Sequence, residues 1–338
     1  MNTSVLGIDI GKNSFHLFDG AADSQKSARK KTTRHKLLEY IATLEPRTIA
    51  MEACAGAHYL ARQFQSYGHC VKLIAPQYVK PYVKTNKNDY NDAEAICEAA
   101  SRPGMRFVPV KSSRQQAGQL LHRLRSKAIK QRTEIVNEIR AALLEDGITV
   151  AQGIGKLRSQ LPGILEDAEN GLYHASRELI YELSEQLQEL DKRICDYDDK
   201  VRQQASSDQD CKNLMTIPGF GPLIATAVKT AMGSPDNFTS GRHFAAWVGL
   251  VPRQYSTGGK PRLLGISKRG NSYLRTLLIH GARAVLYKLK NEDDPCKKWV
   301  TQVHARAHGN IAAVALANKL ARIAWAILSK QTAYKAVA

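Results

Sequence analysis

The sequence lacks the segments that would place the chain in a membrane or export it. No run of about 18 apolar residues occurs, so we expect no membrane-spanning helix. The first residues, MNTSVLGIDIGK, have no basic stretch followed by an apolar one, so we expect no signal peptide. The sequence therefore predicts a cytoplasmic protein with no membrane partner.

The cysteines lack the spacing of a metal or disulfide framework. No two of them form a CxxC pair, which argues against structural zinc and against a disulfide-bridged secreted fold. We expect buried, reduced thiols instead. The six cysteines are Cys54, Cys70, Cys97, Cys195, Cys211 and Cys296.

Acidic and aromatic residues are both scarce. The chain of 338 residues has 31 Asp and Glu against 49 Lys and Arg, a formal net charge of +18, and 7% aromatic residues. A basic excess of this size favours a polyanionic partner, because Lys and Arg release counterions when they meet phosphates. The length allows two or three domains.

Strands and helices alternate over residues 1–110, which indicates an α/β domain. The predicted strands are two short ones within 4–18, then 48–52, 71–74 and 107–110, and the predicted helices are 34–44, 58–66 and 91–100.

Residues 111–205 are predicted to be helical, with a long helix over 113–144 and a Gly-containing interruption over 147–171. The steps of three and four residues in the second helix make a heptad seam, typical of an antiparallel coiled coil or a dimer zipper. An ordinary helix packed on a core is the alternative. The seam residues are Ile180, Leu183, Leu187, Leu190, Ile194, Tyr197 and Val201.

Residues 206–338 are predicted to form a mainly helical C-terminal domain, with helices near 270–290 and 310–330. The Ala-rich last helix has a broad apolar face and should pack inward. The segment IPGFG, with Gly219 and Gly221, resembles a helix-hairpin-helix turn, whose backbone N–H groups bind nucleic-acid phosphates. A Gly-rich turn between packed helices is the alternative.

Four carboxylates occupy related positions in the α/β domain: Asp9, Glu52, Asp89 and Asp92. Asp9 and Glu52 each end a predicted strand, and the other two lie three residues apart where a loop enters a helix, hence on one helical face. Such carboxylates repel one another unless a cation lies among them, and Mg²⁺ is the usual oxygen-bound cation beside phosphates. Two such ions could hold the attacking and leaving oxygens of a phosphoryl transfer. A helix N-cap is the structural alternative for Asp92.

The segment GIDIGK also admits a nucleotide-binding interpretation, because sugar kinases and actin-like ATPases begin with a similar strand, turn and strand. A second Gly-rich nucleotide loop is missing from the sequence, and the basic C-terminal region fits that interpretation poorly.

Acidic residues are missing altogether from residues 241–290, which contain ten Lys or Arg. Such one-sided charge favours a phosphate-binding surface. Within it, Ser256 and Thr257 precede Gly258 and Gly259, whose lack of a side chain would allow a ligand to approach the backbone. A hydroxyl here could contact phosphate, or it could act as a nucleophile if a base or metal activates it. The basic residues that could stabilise charge there are Arg253, Lys260, Arg262, Lys268 and Arg269.

A second basic surface is predicted along the helix that follows Lys111. No acid occurs in it before Glu134, so RNA or a bent DNA duplex could lie along it. Its candidate nucleic-acid-binding residues are Arg114, Arg123, Arg125, Lys127, Lys130 and Arg132.

The motifs GIDIGK, MEAC, VKTNKNDYNDAEAI, IPGFG, and GLVPRQYSTGG with GISKRGN occur in this order across nearly the whole chain. In that combination the sequence resembles the bridge-RNA-guided insertion-sequence transposases, which have an acidic, RuvC-like N-terminal domain and a serine-bearing C-terminal domain. The resemblance implies an RNase H-like fold for the first domain. It also implies that the four carboxylates are a DEDD tetrad that binds Mg²⁺, with Mn²⁺ as a possible substitute.

The resemblance further implies that Ser256 attacks the DNA backbone and forms a transient phosphoserine link. The family motif often has two serines before the glycine; here the second position is Thr257, which leaves its hydroxyl as the alternative nucleophile. The implied partners are donor DNA, target DNA and a structured noncoding guide RNA. The implied assembly is a dimer that pairs into a tetramer, in the bacterial cytoplasm and on the nucleoid when bound to DNA.

Two other functions fit the residues. A metal-dependent, structure-specific endonuclease such as a junction resolvase would use the carboxylates to activate water, with Ser256 as a phosphate contact. A non-catalytic nucleic-acid-binding or assembly protein would use only the basic surfaces and the seam.

Overall fold

The computed structural model describes residues 5–21, 28–84, 88–288 and 295–335. By its internal contacts the chain divides into two compact units, one ending at Ser113 and the other beginning at Arg114. The first is an α/β unit and the second is almost entirely helical.

A six-stranded sheet forms the centre of the first unit. Its order is β3-β2-β1-β4-β5-β6. The first three strands are antiparallel, β1, β4 and β5 are parallel, and β6 is antiparallel to β5. This α/β arrangement is consistent with an RNase H-like DEDD fold. The strands are β1 Val5–Ile10, β2 Ser14–Asp19, β3 Arg29–Thr33, β4 Thr48–Glu52, β5 Cys70–Ile74 and β6 Phe107–Val108.

Helices cover both faces of this sheet, because alternate residues of each strand point to opposite sides. Leu6 and Ile8 of β1 belong to the core under the helices Arg34–Ala42 and Ala57–Ser66, whereas Val5 belongs to the core under the helix Asp89–Ser101. The helices of this unit are α1 Arg34–Ala42, α2 Ala57–Ser66, α3 Pro76–Val79 and α4 Asp89–Ser101, with a 3₁₀ turn at Lys80–Tyr82.

The second unit is built from long helices followed by a bundle of shorter ones. A two-stranded ribbon interrupts the bundle. Its helices are α5 Ser113–Glu145, α6 Ile154–Glu166, α7 His174–Ser207, α8 Gln209–Met215, α9 Pro222–Met232, α10 Gly241–Val248, α11 Ser272–Tyr287, α12 Pro295–Arg306 and α13 Gly309–Lys330, with a 3₁₀ turn at Pro235–Asn237, and its strands are β7 Pro252–Gln254 and β8 Leu263–Ile266.

The heptad seam of α7 packs within the chain. Ile180 and Leu187 share a buried cluster with Ile139 of α5 and Leu157 of α6, and further along the seam Ile194 packs with Ala128 of α5. Residues that come later in α7 meet residues that come earlier in α5, so the two helices run antiparallel. The seam is therefore covered by helices of its own chain.

The last helix, α13, runs through the C-terminal core. It is long and apolar enough to cross a membrane by length and composition, which the sequence analysis did not anticipate, but half of its most apolar window is buried in the protein. Leu316, Leu320 and Ala324 are fully buried against α8, α10, α11 and α12. The predicted inward packing is confirmed, and a core helix of this kind is weak grounds for a membrane span.

Several predicted features need correction. The interruption expected over 147–171 contains the helix α6, and β3, α12 and the β7–β8 ribbon were not predicted at all. The expectation that the thiols are buried is wrong for half of them. Cys97, Cys211 and Cys296 are buried, whereas Cys54, Cys70 and Cys195 are exposed.

Candidate active site

Two predicted carboxylates meet at neighbouring strand ends. Ile8 of β1 pairs with Met51 of the parallel strand β4, so the next residues, Asp9 and Glu52, lie side by side. Alternation places Asp9 on the sheet face of Gly7, which is the face covered by α4. Both carboxylates are half-buried.

Gly7 allows α4 to approach this face closely. A Cβ on Gly7 would stand 2.3 Å from the carbonyl oxygen of Ala93, a separation that no real side chain tolerates. The close approach brings the first turn of α4, with Asp89 and Asp92, next to Asp9. Asn88 caps this helix by accepting a hydrogen bond from the Tyr90 N–H, and acids are favoured in a first helical turn by the helix dipole.

The structure thus brings the four predicted carboxylates near one another, and two of them, Asp9 and Glu52, have raised pKa values. Burial raises the pKa of Asp9, and the charges of Asp92 and Asp89 raise it further. Burial also raises the pKa of Glu52, with added contributions from Asp9 and Asp92. These four groups are hereafter the acidic tetrad.

A divalent cation fits this group of residues. Several half-buried carboxylate oxygens lie near one another there, and burial and neighbouring negative charge raise the pKa values of Asp9 and Glu52; an added cation would offset both effects. The residues able to hold such an ion are those of the acidic tetrad.

His16 is a residue at this site that the sequence analysis missed. It pairs directly with Asp9 across the antiparallel strands β1 and β2. Its buried ring places Nδ1 3.5 Å from Oδ2 of Asp89. Potential ligand atoms of Asp9, His16 and Asp89 all lie within 4.8 Å of one another. Placing β2 antiparallel to β1 and matching residues across the turn would have identified His16.

Ser256 lies in the ribbon of the second unit, which is exposed over most of its length. Thr257 and Lys260 form a bridge across its tip, and Gly258 and Gly259 between them have φ of 56° and 75°. Two positive φ values at the centre of a hairpin turn strongly favour glycine. The two glycines therefore make the turn that holds Ser256 one residue before the bridge.

The hydroxyl of Ser256 accepts two hydrogen bonds, one from the Gln254 side-chain amide at 2.9 Å and one from the Arg262 N–H at 3.3 Å. Neither group can take the hydroxyl proton. Within the described part of the chain, no carboxylate or imidazole forms a hydrogen bond with this oxygen. As a nucleophile, Ser256 would need a base or a metal from elsewhere.

The basic residues at and after the ribbon carry uncompensated charge. All are exposed, and across the described residues none of them forms an ion pair, so each is open to phosphate. They are Arg253, Lys260, Arg262, Lys268 and Arg269.

The basic residues of α5 divide into two groups. Arg125 forms an ion pair with Asp198 of α7 at 2.5 Å, and Arg132 pairs with Asp191 at 3.4 Å. Two more predicted residues are also paired, Arg114 with Asp208 and Lys130 with Glu134. The remaining two, Arg123 and Lys127, are exposed and have no ion pair among the described residues.

The IPGFG segment forms a turn between α8 and α9, as expected. Gly219 has φ of 82°, and a Cβ there would stand 2.4 Å from the carbonyl oxygen of Gly281 in α11. This glycine therefore serves helix packing. Gly221, in contrast, is exposed with open space around it and caps α9.

Comparison with known proteins shows that this chain is similar to transposases over nearly its whole length. Residues 6–146 match the DEDD transposase family of the IS110 type, and residues 211–295 match the "Transposase IS116/IS110/IS902 family". A "Probable family 20 transposase" of Pseudomonas aeruginosa is 45% identical over 99% of both chains. The "Transposase for insertion sequence element IS1328" of Yersinia enterocolitica is 42% identical over 98% of this chain and 99% of its own. The corresponding protein for IS1111A of Coxiella burnetii is 43% identical over 98% and 91%.

Proposed function

Because this chain belongs to the IS116/IS110/IS902 family of transposases, we propose that it is an RNA-guided DNA recombinase that cleaves and rejoins donor and target DNA. The observation that carries the proposal is the acidic tetrad. Two adjacent strand ends and one helix N-terminus bring its carboxylates near enough to influence one another's charge.

The acidic tetrad would hold Mg²⁺, with Mn²⁺ as a substitute. When bound, the ion would neutralise negative charge on a phosphate and on the attacking oxygen. The chain contributes the fixed positions of the carboxylates. Gly7 sets the distance between β1 and α4, and Asn88 fixes the start of that helix.

Ser256 is the proposed nucleophile. Its Oγ would attack a backbone phosphorus and displace a sugar oxygen, which leaves a phosphoserine and a free strand end. Attack by a sugar hydroxyl of the other DNA would then reform the phosphodiester and release the serine, so no external energy source is needed. The Arg262 and Gln254 groups that hydrogen-bond to Oγ hold the hydroxyl in place.

Ser256 and the acidic tetrad belong to different compact units, and Ser256 has no proton acceptor among its described hydrogen-bond partners. We propose that a complete centre combines the tetrad of one subunit with the serine of another, as the family resemblance implies. A dimer that pairs into a tetramer would supply that combination. Since the seam of α7 is covered within the chain, other surfaces would hold the subunits together.

A structured guide RNA is the proposed source of sequence recognition. The uncompensated charges at the ribbon and on α5, with few aromatic residues in the chain, suit binding to phosphates more than reading of bases. The proposed location is the bacterial cytoplasm, with the protein on the nucleoid when it is bound to DNA.

A metal-dependent, structure-specific endonuclease is the second candidate, because among the described residues no carboxylate or imidazole hydrogen-bonds to the Ser256 hydroxyl. Water activated at the acidic tetrad would then cut the DNA, and Ser256 would only contact phosphate.

Joining of labelled donor and target DNA tests the first proposal. The reaction would contain Mg²⁺ and RNA transcribed from the DNA that flanks the gene. We expect Asp9→Asn to abolish joining and Asp196→Asn, at an exposed position of α7, to retain it. Joining that proceeds equally well without RNA would contradict RNA guidance, and full activity of Asp9→Asn would contradict the metal centre.

A further inference from the structure

A cavity of about 410 Å³ lies in the second unit, between α5, α9 and the start of α11. Its lining combines small apolar side chains with amide and hydroxyl groups. Both its volume and this mixture are typical of sites for small organic groups. The lining includes Arg123, Ser126, Asn271 and Tyr273.

The lining of the cavity favours an anionic ligand. Among the described residues that line it there is no Asp or Glu, and Arg123 supplies an exposed positive charge that has no ion pair in the same part of the chain. Asn271 lies two residues after Arg269 and three after Lys268, both of which are exposed. One end of the cavity lining thus continues into a loop with two exposed basic residues.

That loop is held in a strained conformation. Lys268 has φ of 54°, a left-handed conformation that is unfavourable for a residue with a side chain. The Lys268 N–H donates to the carbonyl oxygen of Gly249 at 3.2 Å. A Cβ on Gly249 would stand 2.1 Å from the carbonyl oxygen of Arg269, so the loop also packs closely against the end of α10. Strain of this kind tends to persist at binding sites.

The wall behind the cavity is preformed. The buried ring of His122 joins the Tyr273 hydroxyl, 3.1 Å from Nδ1, to the Thr226 hydroxyl, 3.1 Å from Nε2. Burial lowers the pKa of His122 to about 4, so the ring stays neutral at physiological pH. Tyr273 therefore occupies a fixed position in the lining and offers an aromatic ring to a ligand.

We propose that this cavity binds the base of one unpaired nucleotide, with the adjoining phosphates on Arg123 and Lys268. The inference rests on the proposed function, which brings both DNA and RNA to this unit. A single base stacks on aromatic rings and hydrogen-bonds to amides, and it is small enough for a cavity of this volume. A paired base is held in its duplex and could not enter the cavity. A displaced DNA strand and an RNA loop both supply unpaired nucleotides.

Photocrosslinking of the full-length protein tests the site. One probe is single-stranded DNA with 4-thiothymidine, and the other is RNA, transcribed from the DNA that flanks the gene, with 4-thiouridine. Crosslinked peptides are mapped by mass spectrometry. We expect the peptide that contains Tyr273 to be crosslinked by at least one probe, and the probe that succeeds identifies the strand.

Two substitutions at one exposed position provide the matched control. Ser126→Phe fills the cavity mouth, and Ser126→Ala leaves it open. We expect the first to reduce crosslinking at Tyr273 by roughly tenfold, the range that a single base-stacking interaction carries, and the second to leave it unchanged. Lys268→Gly, which suits the left-handed backbone, should weaken the same crosslink without loss of thermal stability.

The crosslinking results distinguish failure of the cavity assignment from failure of the recombinase proposal. Crosslinks at the ribbon or along α5 but none at Tyr273, or a Tyr273 crosslink that survives Ser126→Phe, would overturn the cavity assignment and leave the recombinase proposal standing. Absence of binding to either probe would overturn both.

Discussion

Gly7 of β1 and Ala93 of α4 are in such close backbone contact that a Cβ on the glycine would stand 2.3 Å from the alanine carbonyl oxygen. This contact sets how near the first turn of α4 lies to Asp9. The geometry of the acidic tetrad therefore depends on a residue that carries no side chain.

Gly7→Ala should accordingly push α4 away from the sheet. We expect a loss of roughly 1–3 kcal/mol in the free energy of unfolding, typical of overpacking, together with weaker Mg²⁺ binding. Chemical denaturation and calorimetric titration with Mg²⁺ measure the two effects. The control is Gly163→Ala, inside α6 with open space around it, which should stabilise by about 0.5–1 kcal/mol. Unchanged Mg²⁺ affinity in Gly7→Ala would contradict this role.

Asp9→Asn should stabilise the metal-free protein at neutral pH. The folded-state pKa of Asp9 is raised above its usual value by burial and by Asp92 and Asp89. The contribution of Asp9 to the free energy of unfolding is therefore largest below its unfolded-state pKa, and it is lost as pH rises through its folded-state pKa. The Asn variant escapes that loss.

Thermal unfolding with and without Mg²⁺ checks this prediction. Mg²⁺ should raise the melting temperature of the wild type strongly and that of Asp9→Asn weakly, because ion binding stabilises the folded state only where a site exists. An equal rise in both proteins would place the ion elsewhere.

Arg123 and Arg125 are two residues apart on α5, and we expect alanine substitutions of the two to have different effects on stability and on nucleic-acid binding. Arg125→Ala leaves Asp198 without its partner, so we expect a loss of about 1–3 kcal/mol in stability. Arg123→Ala should change stability by less than about 0.5 kcal/mol and lower the salt dependence of nucleic-acid binding by about one counterion. Denaturation and salt titrations of binding separate the two roles. Equal effects of the two variants on binding would argue against a structural role for Arg125 and a nucleic-acid-binding role for Arg123.

His122 should make folding sensitive to mild acid. Its pKa falls from 6.5 to about 4 on folding, through burial and then through the charge of Arg125. The unfolded chain takes up the proton first, so stability is full above about pH 6.5 and falls as pH drops toward 4, by at most about 3 kcal/mol. Replacing His122 by Leu should flatten this part of the pH profile.

The matched comparison is His58→Leu in the first unit, because burial also lowers the pKa of the His58 ring to about 4. Each variant should remove its own share of the pH dependence, measured by denaturation between pH 4 and 7. A profile that stays as steep in the His122 variant as in the wild type would contradict a buried neutral ring.

The acidic tetrad could be predicted from sequence because each member lies near the end of a strand or the start of a helix that the sequence pattern predicts. Asp9 and Glu52 lie at the ends of apolar strands, and Asp89 and Asp92 lie in the first turn of a helix. His16 was missed because its role depends on a pairing across two strands. Local patterns give strand ends, whereas cross-strand neighbours follow only from the register.

Elements that depend on tertiary contacts were also missed. The strand β3 reads RKKTT and forms by pairing with β2, which a run of charges does not suggest. The helix α6 contains Gly155, Pro162 and Gly163, all poor helix formers, and it is stabilised by burial of Leu157 and Leu161 against α5 and α7. The ribbon is exposed on both sides, so it lacks the alternating apolar pattern of a strand.

The Ser256 hydroxyl is the group on which the proposed chemistry depends most. Ser256→Ala removes the proposed nucleophile but keeps the ribbon, because the Gly258–Gly259 turn is unchanged. Thr257→Val is the matched control, since it removes the neighbouring hydroxyl and keeps the shape of the side chain. We expect strand joining to be lost in the first variant and retained in the second, while both still bind RNA.

Covalent trapping measures this directly. Purified protein, RNA transcribed from the flanking DNA, labelled donor and target DNA and Mg²⁺ are mixed, denatured and separated on a gel. We predict a slowly migrating protein–DNA adduct that requires RNA, persists in Thr257→Val and vanishes in Ser256→Ala. Cleavage of DNA without any adduct, at the same rate in Ser256→Ala, would contradict the serine mechanism and establish a metal-dependent nuclease that uses water.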